Sequence, residues 1–168
     1  PEGEVHFRPR GLPMGFKNSC VVFTKIARVL TKRWREKNIR VLHYMDDFLF
    51  MAKTQEEAHR IREEVLKDMI ELGLAPSFKK TMGVAATRVK FLGFIVDSAE
   101  MRLYVTGERL DKLEEAARVL AGKAEGCEQA AIREIASVAG KVMSMAAAVP
   151  AARMLTRACY ELVRPVDG

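Results

Sequence analysis

Aspartate is missing from the first forty-five residues of this chain, where the only acids are Glu2, Glu4 and Glu36. Cysteine is scarce too. Cys20, Cys127 and Cys159 form an odd set without CxxC spacing, which argues against a disulfide framework and for a reducing, intracellular setting. His6, His43 and His59 show no HxxxH spacing, so no zinc site is expected. No apolar run approaches the roughly 18 residues of a membrane span, and no signal peptide opens the sequence. The chain starts at Pro1 rather than Met, as a fragment or trimmed polypeptide would. Its 168 residues, 49% hydrophobic and 30% charged, suffice for one domain or two small lobes with a real core.

The net charge of +6 is unevenly placed: residues 1 to 40 carry ten Lys/Arg against three Glu, a local +7, and the rest sums to −1. From Ser19 to Glu36, Val22, Phe23, Ile26, Leu30 and Trp34 recur at helical spacing, with Lys25, Arg28, Lys32 and Arg35 on the opposite side and Arg33 nearby. A basic amphipathic helix of this kind is either simply solvated or attracts a polyanion such as nucleic acid.

Ile39 to Tyr44 and Phe48 to Met51 are β-prone stretches around Met45, Asp46 and Asp47, a pattern that predicts a hairpin with the two carboxylates at its tip. Thr54 and Glu57 form a capping box for a helix whose apolar stripe is Ala58, Ile61, Val65, Met69 and Leu72, stopped by Gly73. A second hairpin is expected, with "RVKFLGFIVDS" and "MRLYVT" as strands turning at Ser98 to Glu100. Beyond Thr106 only helical patterns follow: Leu110 to Leu120 ending at Gly122, then Ile132 to Val142, then a helix begun by Pro150.

Adjacent aspartates in a turn are common, since Asp hydrogen-bonds nearby amides. Held close on rigid apolar strands near the interior, however, they would repel at a cost unless a cation intervened, and hard oxygen donors suit Mg²⁺. Paired metal ions on carboxylates are a device of polymerases and nucleases.

"YMDD" (44–47) resembles motif C of reverse transcriptases. It is preceded by "GLPMGFKNSCVVFTK", similar to their motif B, and followed by "ELGLAPSFKKT", similar to motif D, and "VKFLGFIVDS", similar to motif E, the primer grip. With the tail included, the resemblance covers nearly the whole chain and is nearest to retrotransposon enzymes of the tyrosine-recombinase (DIRS-like) type, more distantly Ty3/gypsy. It implies an α+β fold: a partial palm of β-hairpins packed on helices over residues 1–105, then an all-helical, thumb-like lobe over 106–168.

The resemblance also implies roles. Asp46 and Asp47 would be metal-binding catalytic carboxylates, Asp47 the less firmly engaged. Tyr44 and Met45 would lie beside the primer end and the templating pair, and Met14, Gly15 and Phe16 would contact the incoming nucleotide. Lys79 or Lys80 would be the motif D general acid, and Phe91, Leu92 and Gly93 the primer grip. Template-primer RNA or DNA and deoxynucleoside triphosphates would be the partners, and no membrane is involved.

Two departures are minor: Met14 stands where retroviral enzymes have Gln, and Cys20 where retroelements commonly have Pro. A third matters more, because the family's motif A aspartate precedes motif B and no aspartate precedes Asp46 here. Mg²⁺ or Mn²⁺ would therefore bind only once that carboxylate is supplied, and the chain alone is expected to be inactive. The alternative is a domesticated, catalytically silent module that binds nucleic acid or a protein. The strand normally flanked by motif A would leave an exposed sheet edge, through which a homodimer is expected.

Overall fold

The structure, a computed structural model, describes residues 11–13, 15–77 and 84–163. It divides between Ala85 and Ala86 into two compact units, so the strands expected to end a palm at residue 105 fall in the same unit as the helices that follow them.

In the first unit, helix α1 (Ser19–Glu36) leads into strands β1 (Arg40–Tyr44) and β2 (Asp47–Met51), then helix α2 (Gln55–Glu71). Both helices end in the same way. Asn38 at φ 61° and Gly73 at φ 72° take the left-handed conformation, and the next amide reaches back to the carbonyl five residues earlier: Ile39 to Trp34 at 2.9 Å, Leu74 to Met69 at 2.9 Å. Thr54 caps α2 by accepting from the Glu57 amide at 3.1 Å, while the Glu57 carboxylate returns to the Lys53 amide at 2.7 Å. The β1–β2 ribbon is antiparallel, from Arg40 opposite Met51 to Tyr44 opposite Asp47. Among the described residues no third strand joins it, so both ribbon edges are unpaired.

The core of this unit gathers Leu30, Trp34, Ile39, Val41, Ile61 and Val65, with Phe48, Phe50, Met69 and Leu74 packed against it. Trp34 is fully buried, its ring meeting Phe48 at 5.6 Å and Phe50 at 5.3 Å edge-on. Its Nε1 donates to Asp68 Oδ2 at 2.9 Å. That buried carboxylate also takes Arg33 at 3.1 Å and Lys37 at 3.4 Å, so a cation of α1 and the cation that caps its end neutralise one acid of α2. The expected apolar stripe of α1 is only half right. Ala27 and Thr31 join Leu30 and Trp34 inside, while Val22 and Ile26 are exposed, because the helix turns the flank nearer Thr31 onto β1.

The second unit opens with a three-stranded antiparallel meander, β3 (Arg88–Phe91), β4 (Phe94–Asp97) and β5 (Arg102–Val105). The stretch expected as one strand is thus itself a hairpin, turned by Leu92 and Gly93, both at positive φ (49° and 77°), which is the two-residue geometry that matches strand twist. Asp97 organises the next turn: its Oδ1 accepts from the amides of Ala99 and Glu100, and its Oδ2 pairs with Arg88 Nε at 2.8 Å.

Helices α3 (Gly107–Glu125), α4 (Ile132–Met143), α5 (Ala152–Leu155) and α6 (Arg157–Val163) follow. Helix α3 runs through Gly122, and the segment after Pro150 breaks into two short helices at Thr156. Helix α4 packs on α3, α5 and α6, with Ala139 and Ala152 fully buried. Its first turn is held by Glu134, which accepts from the Ala131 amide at 3.0 Å and from Lys123 of α3 at 2.6 Å. The Lys123 hydrogen bond first, and the Ala131 amide second, hold the Glu134 carboxyl below its ordinary value of 4.5.

A depressed carboxyl contributes stability that is present above the unfolded value and is lost as pH falls through the folded one. The urea midpoint of wild type should therefore exceed that of Glu134→Gln at pH 7, with the gap closing below about pH 4.5. A gap that stays constant down to pH 3 would show that the carboxylate charge contributes nothing.

Candidate active site and nucleic-acid surfaces

The β1–β2 turn is made by Met45 and Asp46 alone, since Tyr44 already pairs with Asp47. Met45 sits at φ 52°, a left-handed conformation that costs an L-residue roughly 1–2 kcal/mol. Strain of this kind is retained where the surrounding structure over-determines it, often at functional sites. Here the ribbon's inner face fixes the turn: Val41, His43, Phe48 and Phe50 point towards the helices, which sends Tyr44 and Asp47 to the opposite face.

Asp46 and Asp47 are both exposed, and neither has a hydrogen-bond or ion-pair partner among the described residues. The expectation of a carboxylate pair close to the interior is corrected accordingly. Strand alternation puts Phe48, not Asp47, against Trp34, and Asp46 occupies a turn open to water. Desolvation therefore does not force a cation onto this pair. What favours one is two hard oxygen donors, adjacent and unspent, on a rigid tip. No group of three or more His, Cys, Asp or Glu able to hold a metal occurs among the described residues. Two carboxylates suit Mg²⁺ chemically, since that ion commonly takes only one or two from a protein, but they leave a bridging ligand to come from elsewhere.

The turn before α1 is described at Pro13, Gly15 and Phe16; Met14, Lys79 and Lys80 lie outside the described residues. Gly15 has φ 81° with open space where a Cβ would stand, and Phe16 is exposed. The Ser19 hydroxyl donates to the Pro13 carbonyl at 2.8 Å, tying this turn to the helix start.

In the second unit, Leu92 and Gly93 form the β3–β4 turn, with Leu92 exposed and Phe91 half-buried. The first turn of α3 clamps it. Thr106 Oγ1 donates to the Gly93 carbonyl at 3.3 Å, and the Arg109 guanidinium lies over the Phe94 ring at 4.9 Å. Arg109 also presses on Gly93: a Cβ there would stand 2.8 Å from Nε and 2.9 Å from Cζ. Gly93→Ala should thus cost about 1–3 kcal/mol through left-handed strain and displacement of Arg109, measured as a lower urea midpoint. An unchanged midpoint would mean that the clamp is not formed.

Of the basic residues on α1, Lys25, Arg28, Lys32 and Arg35 are exposed along one side, whereas Arg33 faces α2 and pairs with Asp68. Arg28, Lys32 and Arg35 line an open depression of about 410 Å³ together with Thr31, Glu36 and His43. Sequence reasoning passed over His43, Asp68 and Arg109. Asp68 was detectable in principle, three residues after Val65 and hence on the buried stripe of α2.

With this geometry established, comparison with known proteins defines the class. A model described as reverse transcriptase (RNA-dependent DNA polymerase) matches residues 2–96. The chain belongs to that family, and its relatives place it with the retroviral and retroelement type. It is 33% identical over 102 residues to a Pol polyprotein of feline endogenous virus ECE1, covering 60% of this chain and 10% of that protein. It is 28% identical over 103 residues to Protein P of duck hepatitis B virus (strain China), covering 61% and 13%.

Among solved structures it resembles a foamy viral protease-reverse transcriptase (dRH) in complex with double-stranded DNA, at TM-score 0.69 and 27% identity over 90% of this chain and 24% of that one. The foamy viral protease-reverse transcriptase in complex with an RNA/DNA hybrid gives TM-score 0.67 and 26% identity, over 93% and 19%. The chain thus spans about a tenth of the curated relatives' length and a quarter or less of the solved chains. The mixed helix-and-sheet fold agrees with these polymerase domains. No described helix is long and apolar enough to cross a membrane.

Proposed function

We propose that this chain is the palm and thumb part of an RNA-directed DNA polymerase that adds deoxynucleotides to a primer 3′-hydroxyl, with residues 1–105 as partial palm and 106–168 as thumb. The observation that carries the reading is the strained two-residue turn presenting Asp46 and Asp47 with no competing side-chain partner among the described residues, inside the span matched by the family model. A divalent ion such as Mg²⁺ or Mn²⁺, held by Asp46, Asp47 and a third carboxylate, would supply charge stabilisation for phosphoryl transfer.

This chain's own residues divide the remaining work. Tyr44 and Met45 border the primer end, and Gly15 and Phe16, with Met14, border the incoming nucleotide. Lys79 or Lys80 donates a proton to the departing pyrophosphate. Phe91, Leu92 and Gly93 hold the primer, the last two fixed by Thr106 and Arg109. The parent element is nearest to the tyrosine-recombinase type.

The absence of aspartate before Asp46 supports a further point: this chain alone binds template-primer without extending it, which is also how a catalytically silent module would behave. Joining it to an upstream segment that carries the third carboxylate separates the two. Primer extension on an RNA template with deoxynucleoside triphosphates and Mg²⁺ or Mn²⁺ is expected. A folded fusion that binds template-primer yet adds no nucleotide with either ion would leave the silent module as the correct reading.

A further inference from the structure

We propose that the depression between α1 and β1 is a phosphate-binding pocket, built from Arg28, Lys32, Arg35 and an oriented His43, and separate from the Asp46–Asp47 turn. Three cations and one imidazole face one open volume of about 410 Å³, against a single acid, Glu36. Arg28 has no partner among the described residues. Lys32 meets Glu36 only loosely, at 3.9 Å, with both side chains well exposed. Arg35 spends one N–H on the Val41 carbonyl at 3.0 Å, which anchors its guanidinium beside the ribbon and leaves its other donors without a partner among the described residues.

His43 makes this a pocket rather than a stripe of surface charge. Its ring stacks on Phe48 at 5.8 Å, and its Nδ1 lies 3.2 Å from Thr31 Oγ1. The Thr31 hydroxyl already donates its one proton to the Ala27 carbonyl at 2.7 Å, so it can only accept, and Nδ1 must carry the hydrogen. Nε2 is then the ring's acceptor, with no partner among the described residues, and the oriented ring forms one wall of the depression. The groups around the ring are Arg28, Thr31, Lys32, Arg35 and Glu36 from α1 and the uncharged Phe48 from β2. Three cationic donors of one helix, converging beside a ring fixed on the strand, suit the oxygens of a phosphate group. The inference does not rest on the polymerase reading and survives its failure.

Phosphate can come from a nucleic-acid backbone or from a free or nucleotide phosphate, and the test has an arm for each. The 168-residue chain is titrated with oligothymidylate and, separately, with inorganic phosphate, following the His43 ring resonances by NMR. Movement with oligothymidylate alone assigns the pocket to a backbone, and movement with inorganic phosphate as well assigns it to small phosphates too; either supports the proposal. Arg28→Gln with Lys32→Gln should weaken binding by about tenfold or more, and Glu36→Gln should tighten it. Thr31→Val, which removes the acceptor for Nδ1, should reduce the His43 response while leaving the helix formed by circular dichroism. Lys25→Gln, on the same helix side but outside the pocket, should have little effect. A His43 ring unmoved by both probes, or a Lys25→Gln loss equal to that of Arg28→Gln, overturns the proposal.

Discussion

Replacing Trp34 with alanine should destabilise the first unit by about 3–5 kcal/mol, a large share of the roughly 5–15 kcal/mol that keeps a typical domain folded. Among the described residues Trp34 is the one aromatic side chain that is completely buried there, and it contacts both ribbon phenylalanines edge-on. It also supplies Asp68 with an N–H, so the truncated protein would hold a cavity and a buried carboxylate short of one donor. Trp34→Phe refills most of the volume but not the hydrogen bond, and a smaller loss of about 1–3 kcal/mol is expected. Urea unfolding of the two variants measures both figures. An alanine variant within 1 kcal/mol of wild type would mean that the α1–ribbon core contributes far less than its burial implies.

The second large effect concerns chemistry. In a chain completed by an upstream segment, Asp46→Asn should lower primer extension by about a thousandfold, roughly 4 kcal/mol at 1.36 kcal/mol per decade. Asn is nearly isosteric but carries no charge, and Asp46 makes no contact with other described residues that the change would break. Folding and template-primer affinity should stay within a few-fold of wild type. Asp47→Asn should cost less, consistent with its proposed looser engagement. Single-turnover extension assays distinguish the two, and retention of full activity by Asp46→Asn would remove the turn from the proposed active site.

Much of the architecture could be read from residue order because local chemistry and tertiary packing agree. Helix α1 spans Ser19–Glu36 as its spacing implies, and the Thr54 cap and the Gly73 stop follow from residues with strong local preferences. The errors arose where non-local packing decides. The α1 stripe omitted Ala27 and Thr31, small residues whose burial depends on β1 lying across them. The β3–β4 hairpin was hidden because Leu-Gly lacks the usual Asn-Gly signature, and its turn is stabilised from outside by Thr106 and Arg109. The exposure of Asp46 and Asp47 is not legible in their apolar sequence neighbours, because strand alternation sends Phe48 to the core and Asp47 to the opposite face. His43 was passed over for the same reason: its meaning depends on Thr31, twelve residues away.

Arg35 already occupies the Val41 carbonyl on the β1 rim, but no strand lies beside the β2 rim among the described residues, and a rim of that kind accepts a strand by main-chain hydrogen bonding whether or not the donor belongs to the same polypeptide. On the proposed function, a separately expressed peptide that adds a strand there in trans is expected to deliver its own carboxylate beside Asp46 without a covalent joint.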